Sequence, residues 1–415
     1  MERFALSRMK EWKENENRKP LIIRGARQVG KTWIMKTFGQ QYFEKTAYVN
    51  FDNNARMKQV FEGDLDIERL VLSISAETGV SIEAENTLII FDEVQEVPKA
   101  LTSLKYFYEN APQYAIVAAG SLLGVALHQG TSFPVGKVDF LDLYPLNFRE
   151  FLCAMGEKQF VSMLDSCDTQ MVTVFKTKYI ERLREYYFVG GMPEVVKDFS
   201  EKKDYNRVRA IQKNLINYYQ QDFSKHAEIK LVPRLNLVWN SIPMQLAKEN
   251  KKYIYGQVRE GSRAKDFELA IQWLLDCGLI HKVQRIQKPD LPLKAYIDFD
   301  AFKLFLVDIG LLIAMTDLDA KVIIEGNKIF TEFKGSLTEQ YILQQLISDV
   351  GVIPYYYSTQ NSKGEIDFLV QGKTSVIPIE VKAEENLKAK SLKAFCEKYQ
   401  PSYAVRTSMS ESRIG

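Results

Sequence analysis

One short stretch near the start of the chain most constrains what the chain can fold into. Residues 25–32 read GARQVGKT, the G-x-x-x-x-G-K-[ST] pattern of a phosphate-binding loop. The apolar residues 21–23 precede it, as in a buried parallel strand, and residues 31–38 contain neither Gly nor Pro, which allows a helix. Strand, loop and helix in this order predict a nucleotide-binding α/β fold; a glycine-rich loop without a ligand is the alternative.

The residue types in this loop suit a nucleoside triphosphate. Glycines at positions 25 and 30 let backbone N–H groups close around phosphate oxygens, and a helix N-terminus adds a favourable dipole. We expect Lys31 to reach the β- and γ-phosphates and the Thr32 hydroxyl to ligate Mg²⁺. The nucleotide-binding segment predicted from the sequence comprises Gly25, Arg27, Gln28, Val29, Gly30, Lys31, Thr32 and Trp33.

A second stretch strengthens the prediction that the chain binds ATP or GTP. Residues 87–93 read TLIIFDE, an apolar strand that ends in two carboxylates. Open α/β sheets bind their ligands at the carboxyl ends of the strands. We therefore expect Asp92 to hold Mg²⁺, commonly through water, and Glu93 to polarise the attacking water as a general base.

A third predicted strand, YAIVAAGS at residues 114–121, ends in a small polar residue. A hydroxyl at Ser121, beside the strand of Asp92, is placed to sense the γ-phosphate, and a helix N-cap at the same residue is the alternative. Strands and helices alternate up to about residue 150. This alternation predicts a parallel three-layer α/β domain over residues 1–150.

The chain also resembles a known family, and the resemblance rests on a series of motifs spread over nearly its whole length. These motifs are GARQVGKT, LIIFDEVQEVP, AAGSLLG, SFPVGKVDFLDLYPLNFREF, YFVGGMPEVV and QDFSKHAEIK. They resemble a large bacterial and archaeal family of predicted AAA-superfamily ATPases, in which an N-terminal ATPase domain is joined to a C-terminal domain of unknown function. The resemblance implies nucleotide binding by Gly25, Gly30, Lys31 and Thr32, hydrolysis supported by Asp92 and Glu93, and a sensor at Ser121.

One position departs from the pattern of this family. Many relatives carry Gly-Arg where this chain has Gly136 and Lys137, and the Arg is a candidate sensor or inter-subunit finger. Lys lacks the bidentate fork of Arg. The sequence therefore leaves the finger role of Lys137 open, together with the oligomeric state.

Composition bounds the class of protein. A chain of 415 residues predicts two or three domains, and a hydrophobic content of 46% favours packed cores over disorder. The formal net charge of +2 argues neither for nor against nucleic acid, and the four cysteines and three histidines show no zinc-binding spacing. The N-terminus is too charged for a secretory signal, and the apolar run at 304–315 is too short to span a bilayer. We therefore expect a cytoplasmic protein with no membrane span.

The middle of the chain is predicted to be mostly helical. Residues 151–204 are expected to form a lid-like helical region, in which the sequence GGMP at 190–193 marks a structural turn rather than a ligand loop. Residues 205–316 predict a helix-turn-helix with a wing, and a winged helix used only for packing is the alternative. The candidates for contacts with DNA phosphates are Arg259, Arg263, Lys265 and Arg285.

The last predicted domain, residues 317–415, resembles the restriction-endonuclease-like nuclease fold. Asp367 begins one strand of a predicted hairpin, and Glu380 and Lys382 share a face of the next strand because side chains alternate. With Glu339 on the preceding helix, this order resembles the D…E-x-K arrangement of that fold. Glu339, Asp367 and Glu380 would bind Mg²⁺ or Mn²⁺ for phosphodiester hydrolysis, and Lys382 would position the nucleophile or stabilise charge.

These predictions combine into one leading hypothesis of function. The chain is expected to be a Mg²⁺-dependent AAA-type ATPase that uses its nucleotide state to reposition a winged-helix and nuclease-like C-terminal half on DNA. The alternative is an ATP-driven signalling switch whose C-terminal half is an inactive nuclease-like module that binds a protein or DNA. In that case Asp367, Glu380 and Lys382 only form salt bridges between strands. A small-molecule kinase shares the phosphate loop but does not account for the long C-terminal half.

Overall fold

The structure is a computed structural model of the chain, and it divides into two compact units. Residues 2–144 and 276–278 form what we call the N-terminal unit, and residues 1, 145–275 and 279–415 form the C-terminal unit. The side chains of Thr331 and Glu332 are not described. The described residues are 1–120, 134–248, 252–325, 331–359, 364–383 and 390–409.

The N-terminal unit is built on a parallel sheet. Its strands, within the described residues, are β1 (Leu21–Arg24), β2 (Lys45–Asn50), β3 (Thr87–Asp92), β4 (Ala115–Ala119) and β5 (Asp139–Asp142). They lie in the order β2-β3-β4-β1-β5, and every neighbouring pair is parallel. Every residue of β3 and β4 is buried, as expected of parallel strands in an α/β fold. The predicted parallel α/β architecture is therefore confirmed.

Helices alternate with these strands, as the sequence predicts. They are α1 (Ala5–Glu14), α2 (Lys31–Tyr42), α3 (Ala55–Glu62), α4 (Ile67–Thr78) and α5 (Pro98–Asn110). An aromatic cluster lies in the core between strands and helices: the ring centroids of Phe51, Phe61 and Phe91 are 5.4–5.7 Å apart in edge-to-face arrangements. Each such pair contributes about 0.5–1.5 kcal/mol beyond burial. This packing fixes the strand that carries Asp92.

The register of the sheet brings three strand ends to one level. Ala119 at the end of β4 pairs with Ile23 of β1 and with Asp92 of β3. The phosphate loop after β1 and the carboxylates after β3 therefore leave the sheet at the same edge, on either side of β4. This edge is the carboxyl end of the strands, where open α/β sheets bind ligands.

The C-terminal unit begins with a series of helices. They are α6 (Phe148–Ala154), α7 (Lys158–Asp165), α8 (Thr169–Val174), α9 (Lys176–Val189), α10 (Pro193–Lys202), α11 (Tyr205–His226), α12 (Val232–Leu246), α13 (Tyr255–Val258) and α14 (Ala264–Asp276). Pro243 lies inside α12, where the sequence predicts a break or kink. None of the helices in the described part of the chain is long and apolar enough to cross a bilayer.

A mixed sheet completes the C-terminal unit. Its elements are β6 (Ile280–Ile286), β7 (Ile297–Leu306), α15 (Ile309–Met315), α16 (Ala320–Ile324), α17 (Thr331–Gln345), β8 (Tyr355–Ser358), β9 (Glu365–Gln371), β10 (Val376–Val381), α18 (Lys390–Tyr399) and β11 (Val405–Thr407). A short π-helical turn, Leu346–Val350, follows α17. Among the described residues the strand order is β11-β10-β9-β8-β6-β7.

The hairpin predicted as a wing belongs to this same sheet. β6 and β7 pair antiparallel, and β6 also pairs parallel with β8 through Arg285–Tyr356 and Ile286–Tyr357. Strands assigned from the sequence to a winged helix and to a nuclease-like domain are therefore hydrogen-bonded neighbours. The division of the chain at residues 150, 204 and 316 stays a prediction, as does the restriction-endonuclease-like assignment.

The turn at Gly190 and Gly191 is held by a fully buried carboxylate. Asp308 accepts hydrogen bonds from the backbone N–H groups of Gly191 (2.6 Å) and Leu311 (3.1 Å) and from Gln344 Nε2 (3.1 Å). Burial raises the pKa of Asp308, and these donors partly counteract that effect. The contacts give the glycine pair a structural role.

We expect the substitution Gly191→Ala to destabilise the C-terminal unit. A Cβ atom at Gly191 would overlap the carbonyl oxygen of Leu146, so the backbone would have to shift. The free energy of unfolding should fall by roughly 1–3 kcal/mol, measured by calorimetry. Gly335→Ala in α17 is the control, because a Cβ atom there meets nothing within 4 Å. Equal melting temperatures for the two variants would contradict this prediction.

Candidate nucleotide-binding site

The loop between β1 and α2 has the backbone that its glycines predict. The φ angle is +147° at Gly25, +65° at Gln28 and +96° at Gly30. Side chains disfavour this region, and a Cβ atom at Gly25 would also overlap the carbonyl oxygen of Leu143. The loop therefore needs glycine at position 25 for two separate reasons. Its one non-glycine residue with positive φ, Gln28, is exposed to solvent.

Lys31 begins α2, and its side chain folds back over the loop. Its Nζ donates to the carbonyl oxygens of Gly25 at 2.9 Å and Ala26 at 2.8 Å, and the side chain is buried. Burial lowers the pKa of Lys31 to about 8, although the nearby carboxylates of Glu93 and Asp92 raise it. The ammonium group is thus held inside the loop that the sequence predicts to bind phosphate.

The two predicted Mg²⁺ ligands are brought into direct contact. Thr32 Oγ1 donates to Asp92 Oδ2 at 2.7 Å, and Asp92 is only 3% exposed. Mg²⁺ is usually held by one or two protein oxygens together with nucleotide phosphates. A hydroxyl and a carboxylate at this distance fit that mode of binding. In the described part of the chain, no group of three or more His, Cys, Asp or Glu side chains could hold a metal ion by itself.

Tyr48 on β2 is a further partner of this carboxylate that the sequence did not indicate. Its hydroxyl donates to Asp92 Oδ2 at 2.9 Å, and the backbone N–H of Glu93 donates to Oδ1 at 3.1 Å. Burial and the Asp92 charge raise the pKa of Tyr48, so the phenol stays protonated and acts as a donor. Hydrogen bonds from Tyr48 on β2 and from the backbone of Glu93 therefore orient the Asp92 carboxylate.

Glu93 is held by a residue two positions further along the chain. Gln95 Nε2 donates to Glu93 Oε2 at 2.7 Å, and Glu93 itself has a positive φ of +50°. Both residues are half-buried, and residues 94–96 form a tight 3₁₀ turn. Gln95 thus restrains the carboxylate predicted to act as the general base. The sequence contains Gln95 in the motif LIIFDEVQEVP but gives no sign of this contact.

Arg3 fastens the phosphate loop from outside the motif. This buried guanidinium donates from NH1 to the carbonyl oxygen of Val29 at 3.0 Å and from NH2 to that of Tyr144 at 2.6 Å. It therefore links the loop to the segment that follows β5. No motif in the sequence indicates either of these contacts.

The remaining predicted residues of this site take varied positions. Val29 is fully buried, Arg27 is half-buried, and Trp33 is 43% exposed on α2. Lys137 Nζ lies 3.0 Å from Glu109 Oε1 of the same unit. Ser121 lies outside the described residues. The sensor role of Ser121 and the finger role of Lys137 stay predictions.

Two of the carboxylates predicted for the C-terminal nuclease-like site, Glu380 and Asp367, lie on neighbouring antiparallel strands. Glu380 Oε1 lies 2.7 Å from Lys382 Nζ, and its Oε2 accepts a hydrogen bond from Leu392 N, at the start of α18, at 2.9 Å. Asp367 Oδ2 accepts a hydrogen bond from Val381 N at 2.7 Å, which ties it to the strand of Glu380. Side-chain alternation correctly predicted the pairing of Glu380 with Lys382.

The third predicted carboxylate, Glu339, lies beside a buried lysine that the sequence did not indicate. Lys303 on β7 is fully buried; its Nζ forms an ion pair with Glu365 and lies 3.6 Å from Glu339 Oε2. Burial alone would lower the pKa of Lys303, but Glu339, Glu365 and Asp367 outweigh it and raise that pKa above its ordinary value. The ammonium group is therefore charged in the interior of the domain.

Three family models match the chain over most of its length. Residues 17–152 match an AAA domain, residues 180–322 a domain of unknown function (DUF8612), and residues 334–415 a second domain of unknown function (DUF4143). The part of the chain at residues 17–152 is thus an AAA domain. The AAA match covers the strands, the phosphate loop and the two carboxylates described above. The resemblance implied by the sequence motifs is confirmed.

A search of solved structures gives matches of low sequence identity. The Walker-type ATPase PABY2304 of Pyrococcus abyssi has 15% identity and a TM-score of 0.47, covering 76% of this chain and 95% of that one. The Aeropyrum pernix Orc1 protein in complex with DNA has 12% identity and a TM-score of 0.27, covering 75% and 91%. The Thermotoga maritima RuvB Holliday junction branch migration motor has 12% identity and a TM-score of 0.29, covering 67% and 87%. A search of curated proteins gives no match.

We expect Arg3→Ala to weaken the AAA domain and its phosphate loop. The change removes the hydrogen bonds to the carbonyl oxygens of Val29 and Tyr144, and should lower the free energy of unfolding by about 2–3 kcal/mol. Affinity for a fluorescent ATP analogue should fall as the loop loosens. Arg8→Ala, at an exposed position of α1, is the control. An Arg3→Ala variant as stable and as tightly binding as this control would refute the role.

Gln95→Ala should impair turnover more than binding. Without the amide, the Glu93 carboxylate loses a fixed partner, so we expect kcat for ATP hydrolysis to fall by about tenfold. KM should stay within about twofold, because the hydrogen bond of Gln95 acts on the predicted general base and not on a residue predicted to bind nucleotide. Gln59→Ala, at an exposed position of α3, should match the wild type. A rise in KM with unchanged kcat would contradict a role in positioning Glu93.

Proposed function

We propose that the chain is a Mg²⁺-dependent ATPase whose reaction takes place in the N-terminal unit. The observation that carries this proposal is the 2.7 Å contact of Thr32 with Asp92, beside the ammonium group of Lys31. These are the groups that P-loop ATPases need for Mg²⁺ and for the β- and γ-phosphates. Glu93, the residue that follows Asp92 in the sequence, supplies the general base.

Each residue has a distinct part in the proposed reaction. The loop N–H groups and Lys31 would bind and neutralise the phosphate oxygens, and Thr32 and Asp92 would hold the metal ion. Mg²⁺, when bound, would neutralise charge on the β- and γ-phosphates. Glu93, held by Gln95, orients the attacking water and takes its proton.

We further infer that the nucleotide state repositions the C-terminal unit and that this unit acts on DNA. Helix α14 is followed directly by the β6–β7 hairpin, the order of a recognition helix and its wing. Arg259, Arg263 and Lys265, at or just before the start of α14, are exposed to solvent. Arg285 instead forms an ion pair with Asp298, so we assign phosphate contacts only to the first three.

A second candidate function has an observation in its favour. The Glu380–Lys382 ion pair at 2.7 Å supports an inactive nuclease-like module, because it engages a carboxylate that a nuclease would need for its metal ion; the pair lies within one segment, whereas the alternative hypothesis expects salt bridges between strands. In that case the ATPase would be a switch whose C-terminal half binds a protein partner. The response of ATP turnover to DNA separates the two candidates.

We expect DNA to stimulate ATP turnover, and the stimulation to fall steeply with salt. Arg263→Glu/Lys265→Glu should remove the stimulation while leaving basal turnover intact. The matched control, Lys197→Glu/Lys202→Glu on α10, should keep it. Lys31→Ala should abolish ATP binding. Glu93→Gln should bind ATP but hydrolyse it at least about 100-fold more slowly.

Two results would contradict parts of this proposal. Turnover that does not respond to DNA, with a co-purifying protein that raises it, would favour the signalling switch. ATP consumption that yields a phosphorylated small molecule instead of free phosphate would favour a kinase and refute the hydrolase.

A further inference from the structure

A buried lysine stands among the carboxylates of the nuclease-like sheet. Lys303 lies on β7, Glu365 on β9 and Glu339 on α17, so three separate elements bring these charges together. Lys303 and Glu365 form a direct ion pair, and the Glu339 oxygen is 3.6 Å from the ammonium nitrogen. The face of Tyr356 lies 4.8 Å from the same nitrogen. The ammonium is thus enclosed by anionic and aromatic groups.

The charges in this cluster depend on one another. Lys303 is 0% exposed and Glu339 is 4% exposed, and an isolated charge at such positions carries a large desolvation penalty. The ammonium group acts on Glu339, Glu365 and Asp367 together. Removing it would leave three carboxylates close to one another without their cation. The cluster therefore requires a positive charge at this place.

The predicted metal ligands do not fit a shared divalent ion. A metal site for Mg²⁺ or Mn²⁺ needs carboxylate oxygens that converge on one point at about 2.0–2.2 Å. Here Glu339 lies 3.6 Å from Lys303 Nζ, and Asp367 accepts a hydrogen bond from Val381 N and also acts on the Lys303 charge. The oxygens of Glu380 are engaged by Lys382 and by the N–H of Leu392. Each predicted ligand is thus already engaged by an ammonium or N–H group of the chain.

We propose that Lys303 is a built-in cation, which takes the place of a divalent metal ion in the acidic cluster of the C-terminal unit. This unit therefore acts on DNA by binding and not by metal-dependent cleavage. The inference takes one point from the proposed function, namely that DNA is the partner of this unit. The geometry of the cluster is independent of ATP.

The decisive variant is Lys303→Met, which keeps most of the side-chain volume and removes the charge. Its melting temperature should fall by about 10 °C, because three carboxylates lose their cation. Millimolar Mn²⁺, added without nucleotide, should raise it again by about 5 °C, since the metal ion can now bind the vacated cluster. The wild type should shift by less than about 1 °C under the same conditions.

Two control variants locate the effect. Lys382→Met removes the half-exposed partner of Glu380 and should gain no response to Mn²⁺. Lys303→Met/Asp367→Asn should lose the response, because one carboxylate of the cluster is neutralised. A folded Lys303→Met variant that does not respond to Mn²⁺ would overturn the proposal.

Two further measurements test whether the wild-type cluster binds a metal ion, even if Lys303→Met does not fold. Mn²⁺ binding, followed by electron paramagnetic resonance without nucleotide, should be the same for the wild type and for Asp367→Asn. Weaker binding by Asp367→Asn would show a native metal site and overturn the proposal. Cleavage of supercoiled DNA by the wild type with Mn²⁺, lost in Lys382→Ala, would also overturn it. None of these readouts uses ATP, so failure of the ATPase proposal would be seen separately.

Discussion

The hydrogen bond between Thr32 and Asp92 is the contact on which the nucleotide site depends. It joins the start of α2 to the end of β3, two segments that are 60 residues apart in the chain and separated in the sheet by β4. The parallel register makes this contact attainable, because β1, β3 and β4 end at one level. Lys31 and Glu93 flank the bonded pair in the sequence, and their positions follow from it.

Local patterns in the sequence were enough to predict most of this domain. The glycine spacing fixed the loop, and the apolar run before Asp92 fixed its place at the end of a buried strand. Gln95 was missed because its contact with Glu93 depends on the tight turn at residues 94–96. Arg3 and Tyr48 were missed because their partners, backbone carbonyls and a carboxylate, are brought near by tertiary folding. A side chain that binds a distant carbonyl oxygen leaves no periodic or spaced pattern. Such contacts are visible only once the strands are paired.

In the C-terminal half, local sequence patterns predicted fewer of the contacts that the structure shows. Strand alternation correctly placed Glu380 beside Lys382, because both lie within one short segment. The same pattern could not predict that a lysine 64 positions before Asp367 would stand among the carboxylates. Lys303 was overlooked because its strand was assigned to a wing and not to the sheet that carries the acids. The pairing of β6 with β8 is what joins them.

That pairing also determines how the chain can be divided. A fragment ending near residue 316 would expose the edge of β6, and the complementary fragment would expose the edge of β8. Unpaired strand edges of this kind promote self-association. The cut would also separate the Lys303 ammonium from the carboxylates of β9 and α17. The β6–β7 hairpin and the acidic strands therefore belong to one sheet, and we expect either fragment made by a cut near residue 316 to associate with itself.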